Sequence, residues 1–318
     1  MFKNKTILIT GGTGSFGQAF TKKILKEDNP KAIRIFSRGE KEQVLMERKF
    51  NDRRLRFFIG DVRDSDRLYR ALKDVDIVVH AAALKHVTVG EYNPIETIKT
   101  NVNGAINVIE NSIKRNVERV MAISTDKAVH PVNLYGATKM TAEKLFIQAN
   151  VHSYKSTKFS CVRYGNVIGS SGSVIPLFKK QKLEGELKIT HPEMTRFWIK
   201  MDDAINFVRN CIDIMHGWEI FVPKMKSMRI IDVANTVAPN GRIKIIGVRP
   251  GEKIHEVLIT EDEARHTITY KDFYIVEPEY EFVSYRRRKD AEPLVYDQPY
   301  TSDNNSDWWK IPEIAELI

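Results

Sequence analysis

Thr10-Gly11-Gly12-Thr13-Gly14-Ser15-Phe16-Gly17 follows directly on the apolar run Thr6-Ile7-Leu8-Ile9 and opens a helically spaced stretch, Phe16 to Lys26. Strand, glycine turn and helix in that order are what a dinucleotide phosphate requires. Gly11 permits the tight turn, Gly14 leaves room for a pyrophosphate against the backbone, and Gly17 lets the helix pack close on the strand. The free N–H groups and positive dipole end of the helix then face the phosphates, with Thr13, Ser15 and Phe16 between the glycines. An ordinary glycine turn is the alternative, and the strand before it and helix after it weigh against that.

The same alternation continues outward. Apolar runs at Thr6–Thr10, Ile33–Ser37, Arg56–Gly60, Ile77–Ala81, Arg119–Ser124 and Phe159–Tyr164 read as strands buried on both faces of a parallel sheet. Between them Ser65–Leu72, Asn101–Asn116 and Gly136–Ala149 carry helical patterns. The expected fold is α/β, a Rossmann-type doubly wound parallel sheet. After about Gly165 the rhythm breaks into a loop, Gly169-Ser170-Ser171-Gly172-Ser173, and short elements punctuated by prolines. Residues 1–166 are therefore expected to form the dinucleotide-binding domain. Residues 167–318 should form mainly a smaller, interleaved substrate-binding domain whose late segments can return to the sheet.

Composition narrows the function classes. With 318 residues, 42% of them hydrophobic and 29% charged, the chain can build a large core and is not disordered. No apolar run approaches the roughly 20 residues of a membrane helix, and the N-terminus has no signal-peptide pattern, so a cytoplasmic protein is expected. Cys161 and Cys211 sit in apolar segments without metal-type spacing, and the eight histidines form no cluster, so neither disulfides nor a metal site is expected. The net charge of +9 comes from scattered basic residues, Arg286-Arg287-Arg288-Lys289 being the one true run. That distribution suits a solvated surface and an anionic nucleotide, not a nucleic-acid or membrane partner.

Two further stretches carry chemistry. The second strand ends in Ser37-Arg38-Gly39-Glu40-Lys41, where an NAD site would place an acidic residue for the ribose. A hydroxyl at Ser37 and cations at Arg38 and Lys41 suit a 2′-phosphate, so NADP is expected, while Glu40 keeps NAD open. Asp61-Val62 after the third strand is placed to meet the adenine, although Asp61 could equally cap the following helix. Tyr135 and Lys139 stand four apart at a helix start, hence on one face, where an ammonium would favour the phenolate and make Tyr135 a base. Upstream, Ser124-Thr125-Asp126-Lys127 ends the fifth strand, at the sheet edge where such folds bind ligands.

The glycine motif with Tyr135-xxx-Lys139 resembles the extended short-chain dehydrogenase/reductases. Thr125-Asp126 resembles their sugar-nucleotide dehydratase branch, although the glucose-nucleotide enzymes have Thr-Asp-Glu where this chain has Thr-Asp-Lys. Phe58-Ile59-Gly60-Asp61-Val62, His80-Ala81-Ala82-Ala83-Leu84-Lys85-His86, Asn133-Leu134-Tyr135-Gly136, Val162-Arg163-Tyr164-Gly165-Asn166, Met194-Thr195-Arg196-Phe197-Trp198 and Arg249-Pro250-Gly251-Glu252-Lys253 extend the likeness. Together they resemble the inverting UDP-N-acetylglucosamine 4,6-dehydratases, which open pseudaminic acid biosynthesis. Gly39 and Gly90 depart from the pattern, standing where a larger residue is expected.

The resemblance implies a cycle. Tyr135, aided by Lys139, takes the 4-hydroxyl proton while hydride leaves C4 for NADP. Lys127 removes the C5 proton, Asp126 helps the C6 hydroxyl leave, hydride returns to C6, and C5 is reprotonated on the opposite face. A carboxylate beside Lys127 stabilises its charged form, so burial must offset this for it to be a base. By the same resemblance Ala81 and Lys85 meet the cofactor. Lys85, Asn166 and Val174 meet the UDP-N-acetylglucosamine, Arg196 and Arg249 its diphosphate, and Thr190 the uridine side. Asn101 is expected to be scaffold, Trp308 and Trp309 packing anchors, and the assembly a homo-oligomer, dimer or hexamer. A retaining dehydratase, a 4-epimerase and a non-catalytic NADP-binding sensor are the competing readings.

Overall fold

Within this computed structural model, residues 1–153, 157–169, 174–280, 285, 288, 291–294 and 298–317 are described. The strands β1 (Thr6–Thr10), β2 (Ala32–Ser37), β3 (Leu55–Ile59), β4 (Ile77–His80), β5 (Arg119–Thr125) and β6 (Lys158–Tyr164) pair in parallel in the order β3-β2-β1-β4-β5-β6. This is the doubly wound order, and it reverses direction between β1 and β4. The centre of the sheet shows why these runs are apolar throughout: Ile7, Leu8, Ile9, Ile77, Val78 and Val79 are all fully buried. Ile220–Pro223 continues the sheet parallel to β6, and Phe273–Val276, Thr267–Tyr270 and Glu292–Pro293 extend it antiparallel.

The helices α1 (Ser15–Glu27), α2 (Glu40–Phe50), α3 (Ser65–Ala71), α4 (Val87–Tyr92), α5 (Pro94–Ile98), α6 (Gly104–Lys114) and α7 (Leu134–Gln148) fill the connections. One departs from the spacing. The pattern Asn101–Asn116 suggests an uninterrupted helix, but Lys99–Asn103 widens into a π-helical turn before α6. The reason is tertiary: the Asn101 amide donates to the Leu84 carbonyl and the Thr138 hydroxyl, while its oxygen accepts the Leu84 N–H. A widened turn aims one side chain out of helical register, a device found at functional sites. Here it clamps the segment after β4 onto α7.

A second, smaller core gathers Phe178, Leu187, Ile189, Trp198, Met228, Val233 and Val237. It is framed by β7 (Asn166–Val167), β8 (Glu186–Ile189) and β9 (Thr195–Ile199), with β9 lying between β7 and the antiparallel Lys226–Arg229. Cys161 and Cys211 are buried and unpaired. Of the basic run, only Arg288 is described, and it turns inward: it donates to the Ile214 carbonyl and pairs with the buried Glu219. The solvated reading of that run is corrected for this residue, and Ser170–Ser173 of the glycine-serine loop lie outside the described residues. Among the described residues no helix is long and apolar enough to cross a membrane.

Arg163 on β6 ties the layers together. Its guanidinium bonds both Glu143 oxygens at 3.1 and 2.7 Å, both Glu263 oxygens at 2.9 Å and the Leu258 carbonyl at 2.8 Å. Burial works against charge on Glu263, but Arg163 outweighs it and holds the carboxyl below its usual range. A buried charge left without its partner is costly, so Arg163→Ala should lower stability by about 3–5 kcal/mol at neutral pH in urea unfolding. Because a depressed carboxyl pKa stabilises above its unfolded value and loses that contribution as pH falls, the penalty should shrink when the unfolding is repeated near pH 4. An unchanged denaturation midpoint at neutral pH would refute this account.

Candidate active site

A cleft of about 690 Å³ opens at the C-terminal ends of the strands, above the reversal between β1 and β4. Its floor is the glycine turn. Gly11 has φ +65°, and a Cβ there would stand 2.9 Å from the Ala82 backbone. A Cβ on Gly17 would stand 2.4 Å from the Gly12 carbonyl oxygen. Both positions therefore exclude any side chain and bring α1 against β1. Gly14 caps α1 without a side-chain partner, and no acid occupies the first turn, so the helix presents its amide end to the cleft.

The tip of β2 forms one wall. Ser37 accepts the Thr13 N–H at 3.2 Å, which ties this tip to the glycine turn, and Gln43 donates to the Ser37 and Phe58 carbonyls. Arg38 is more than half exposed and lies 3.8 Å from Asp61. Asp61 is held ionised: burial would raise its pKa, but the Arg63 side chain and N–H bind it and bring it down. Asp64, not Asp61, caps α3 by accepting the Arg67 N–H, so the capping alternative for Asp61 falls away. Glu42 also lines this wall, its carboxylate lying where a Cβ on Gly39 would be.

The opposite wall carries the polar cluster. Asn133 caps α7 and accepts the Gly136 N–H at 2.8 Å, which sets Tyr135 in the first turn. Lys139, one turn on, donates to the Ile123 carbonyl at 2.6 Å. Burial pushes the Tyr135 phenol up to about 12, opposed by the Lys127 ammonium and a hydrogen bond with Thr125, and reinforced by Asp126. Lys127 is thus a cation set against burial of the phenol, while Lys139, on the same face of α7, is held by the Ile123 carbonyl.

Lys127 Nζ donates to Asp126 Oδ1 at 3.0 Å, and Thr125 donates to the same oxygen at 2.9 Å. Burial would lower the Lys127 pKa, but Asp126 and Glu256 together outweigh it and raise it above its ordinary value. Resting Lys127 is thus an ammonium. Asp126 is fully buried, and desolvation pushes its pKa up, helped by Glu256 and opposed by Lys127. Its Oδ2 has no partner among the described residues and sits 3.2 Å from where a Gly165 Cβ would be. A buried carboxylate oxygen without a donor is a place where a proton can be taken up.

The cleft gathers Gly11, Thr13, Gly14, Ser15, Phe16, Gly17, Ser37, Arg38, Asp61, Val62, Ala81, Lys85, Lys127, Tyr135, Lys139 and Asn166 on one surface. It does not gather the rest. Lys41 points from α2 into solvent, and Asp126 lies behind Thr125 and Lys127. Val174 begins the helix Val174–Glu184 and packs on the second core. Thr190 is buried beside the Met194 sulfur, and Arg249 is an exposed cation 3.7 Å from Glu252. Arg196 is buried with its guanidinium occupied by the Thr195, Ile254 and Lys253 carbonyls, which corrects its assignment to a diphosphate. Sequence reasoning missed Glu42, Trp198 and Glu256. The first two line the cleft, and Glu256 lies 3.6 Å from Lys127 Nζ. Glu256 stands three residues past Lys253 with no motif to mark it.

Comparison with known proteins agrees with this geometry. The model of the polysaccharide biosynthesis protein family matches residues 7–278. The chain is 49% identical to the UDP-N-acetylglucosamine 4,6-dehydratase (inverting) of Campylobacter jejuni, covering 100% of this chain and 98% of the relative. It is 40% identical to the UDP-glucose 4-epimerase of Rickettsia massiliae, covering 100% and 96%. Among solved structures, Pen from Bacillus thuringiensis matches at TM-score 0.92 and 37% identity, over 100% of this chain and 98% of that one. The dTDP-glucose 4,6-dehydratase DesIV of Streptomyces venezuelae, solved with NAD, shares the fold at TM-score 0.70 and 22% identity, over 78% and 86%.

The glycine cradle makes a direct prediction. Gly17→Ala forces α1 away from the Gly12 carbonyl, so isothermal titration with NAD and NADP should show both weakened at least about tenfold, roughly 1.4 kcal/mol. Unchanged affinity for both would mean the cradle is not where the dinucleotide sits.

Proposed function

The chain belongs to the polysaccharide biosynthesis protein family within the extended short-chain dehydrogenase/reductases, and from that membership we propose that it is a UDP-N-acetylglucosamine 4,6-dehydratase that inverts C5. The observation that carries this reading is the Asp126–Lys127 contact at 3.0 Å, with Lys127 on the same cleft wall as Tyr135 and Lys139. A 4-epimerase, the activity named for the Rickettsia relative, needs only reversible hydride transfer at C4 and has no use for a buried acid–lysine pair. The chemistry a bound nicotinamide supplies is hydride acceptance from sugar C4 and its return to C6.

The protein's part is proton handling. Tyr135 takes the O4 proton, and Lys127 and Thr125 favour its phenolate against burial. The ketone formed at C4 acidifies C5–H. Lys127 must be neutral to remove that proton, and it becomes so when its proton passes to Asp126 across their contact. The resulting pair, amine and carboxylic acid, is then base for C5 and acid for the departing C6 hydroxyl, which leaves as water. Both groups return to ammonium and carboxylate, and a solvent-derived proton delivered to C5 on the face away from Lys127 inverts the centre. Tyr135 releases the O4 proton to solvent, which balances the proton taken up at C5.

For the cofactor, Ser37 and Arg38 support NADP, with Lys41 outside the cleft and Glu42 working against a 2′-phosphate. Asn166 remains the candidate for the sugar side, and Lys85 for both ligands. The reading includes a cytoplasmic homo-oligomer, dimer or hexamer, that supplies pseudaminic acid synthesis.

The test is product NMR after turnover of UDP-N-acetylglucosamine in D2O, which should show a 4-keto-6-deoxy sugar with inverted C5 carrying deuterium. Retained configuration or a 4-epimer would overturn the assignment. Lys127→Ala should slow C5 exchange by about 10²–10⁴-fold while absorbance of reduced nicotinamide still develops, more slowly because Tyr135 loses the Lys127 charge, and Tyr135→Phe should abolish that absorbance. Mass spectrometry of the dinucleotide released from purified protein should find NADP, and Arg38→Asp should weaken NADP about tenfold or more relative to NAD. Release of NAD alone from the unaltered protein would refute the cofactor choice.

A further inference from the structure

Beneath Lys127 lies a carboxylate that the proton sequence above does not use. Glu256 is 2% exposed, and its Oε1 lies 3.6 Å from Lys127 Nζ and 3.7 Å from Arg196 Nε. Its Oε2 lies 3.0 Å from Lys253 Nζ. Two acids, Asp126 and Glu256, thus face three cations in one buried cluster. Lys253 also donates to the Val129 carbonyl at 2.8 Å, so the same cation reaches the turn that carries Asp126 and Lys127.

Glu256 is held more firmly than ion pairs require. Its N–H donates to the Ser302 hydroxyl at 2.9 Å, and its carbonyl accepts the Ser302 N–H at 2.8 Å. Ser302 and His255 both meet the Thr195 hydroxyl on β9, at 2.7 and 2.8 Å. The backbone of β9 closes the frame, with Thr195 N–H donating to the Ile254 carbonyl. Such a frame costs chain entropy and satisfies groups that hydrophobic residues would not need, which is a poor way to gain stability alone.

We propose that Glu256 is a positioning residue for the Asp126–Lys127 pair, the fixed anion that aims the Lys127 ammonium and leaves Asp126 as the acid that holds the exchangeable proton. This rests on the dehydratase reading. The asymmetry between the two acids supports it. Burial alone would raise the Glu256 carboxyl, but Lys127, Arg196 and Lys253 outweigh it and keep Glu256 ionised. Asp126 is pushed the other way, first by burial and then by the Glu256 charge, with only Lys127 of those cations to oppose them. Among the described residues, Tyr135, Lys85, His255 and Asp303 also flank the cluster; Tyr135 and Lys85 both feel the Lys127 charge, and Asp303 faces His255. Neither Tyr135 nor Lys85 is an anion at neutral pH that could replace Glu256.

Removing the charge has a signed consequence. Glu256→Gln takes an anion from Lys127, so its pKa falls, and takes a like charge from Asp126, so its pKa falls as well. Both limbs of the pH–rate profile should move to lower pH by about one unit. C5–H exchange in D2O should slow at least about tenfold at neutral pH, whereas reduced-nicotinamide formation, which needs Tyr135 and a Lys127 that is still an ammonium at rest, should stay within about threefold. Glu256→Asp keeps the charge, and its pH limbs should stay where the unaltered enzyme has them while C5 exchange slows. Limbs that do not move in E256Q, or C4 and C5 steps slowed equally in both variants, overturn the proposal. Should E256Q fail to fold, E256D decides by the same comparison of steps and limbs. An independent reading is NMR titration of ε-¹³C lysine, with Lys127→Arg to assign the signal. The Lys127 pKa should fall in the folded Glu256 variant that lacks the charge, and an unchanged value refutes the pairing. Absence of turnover by the unaltered enzyme would overturn the reaction assigned above, while the lysine titration would still read the pairing itself.

Discussion

The structure depends on one close backbone crossing. Where α1 leaves β1, Gly17 lies so near the Gly12 carbonyl that even a methyl group cannot enter, and Gly11 presses equally on the Ala82 backbone. That contact brings the amide end of α1 to the C-terminal edge of the sheet at the point where strand order reverses. Connections on the two sides of the reversal run away from each other, and the cleft is the space they leave. Everything with chemistry in it then arrives from strands on one side, β4, β5 and β6 with α7, while β2 and β3 close the other end.

Electrostatics inside the cleft follow from burial more than from charge count. Desolvation is the largest influence on Tyr135, Lys139, Asp126, Lys127 and Glu256 alike, and it acts against charge on each. What differs is company. Lys127 has two carboxylates and stays charged, Glu256 has three cations and stays charged, and Asp126 has one cation and an opposing anion. The same residue types at the surface would titrate near their ordinary values. Packed together they separate into an acid, a latent base and a fixed counter-charge, a pattern common where proton transfer is the task.

Much of this was legible from the chain. The buried parallel strands announce themselves as short Ile/Val/Phe runs, and β1 begins and ends where its apolar pattern does. The helical pattern Gly136–Ala149 falls within two residues of α7 at its start and one at its end, and helix ends were less legible where a tertiary contact intervenes. The π-helical turn at Lys99–Asn103 is such a place, because its geometry answers to Leu84, seventeen residues away. The cationic candidates fared worst. Arg196 and Arg249 look alike as donors for a phosphate, yet one is filled by backbone carbonyls and the other stands in solvent.

The sequence by itself determined the doubly wound fold class, through the alternation of strand and helix patterns, and the glycine cradle and the Tyr135–Lys139 and Asp126–Lys127 adjacencies, each a local spacing read within one turn or at one strand end. Tertiary structure alone decided which charges meet. Glu256 lies 129 positions beyond Lys127 in the chain and reaches it only because Ser302 and β9 hold its backbone in place. No local pattern encodes that distance, and burial turns it into the difference between a charged lysine and a neutral one.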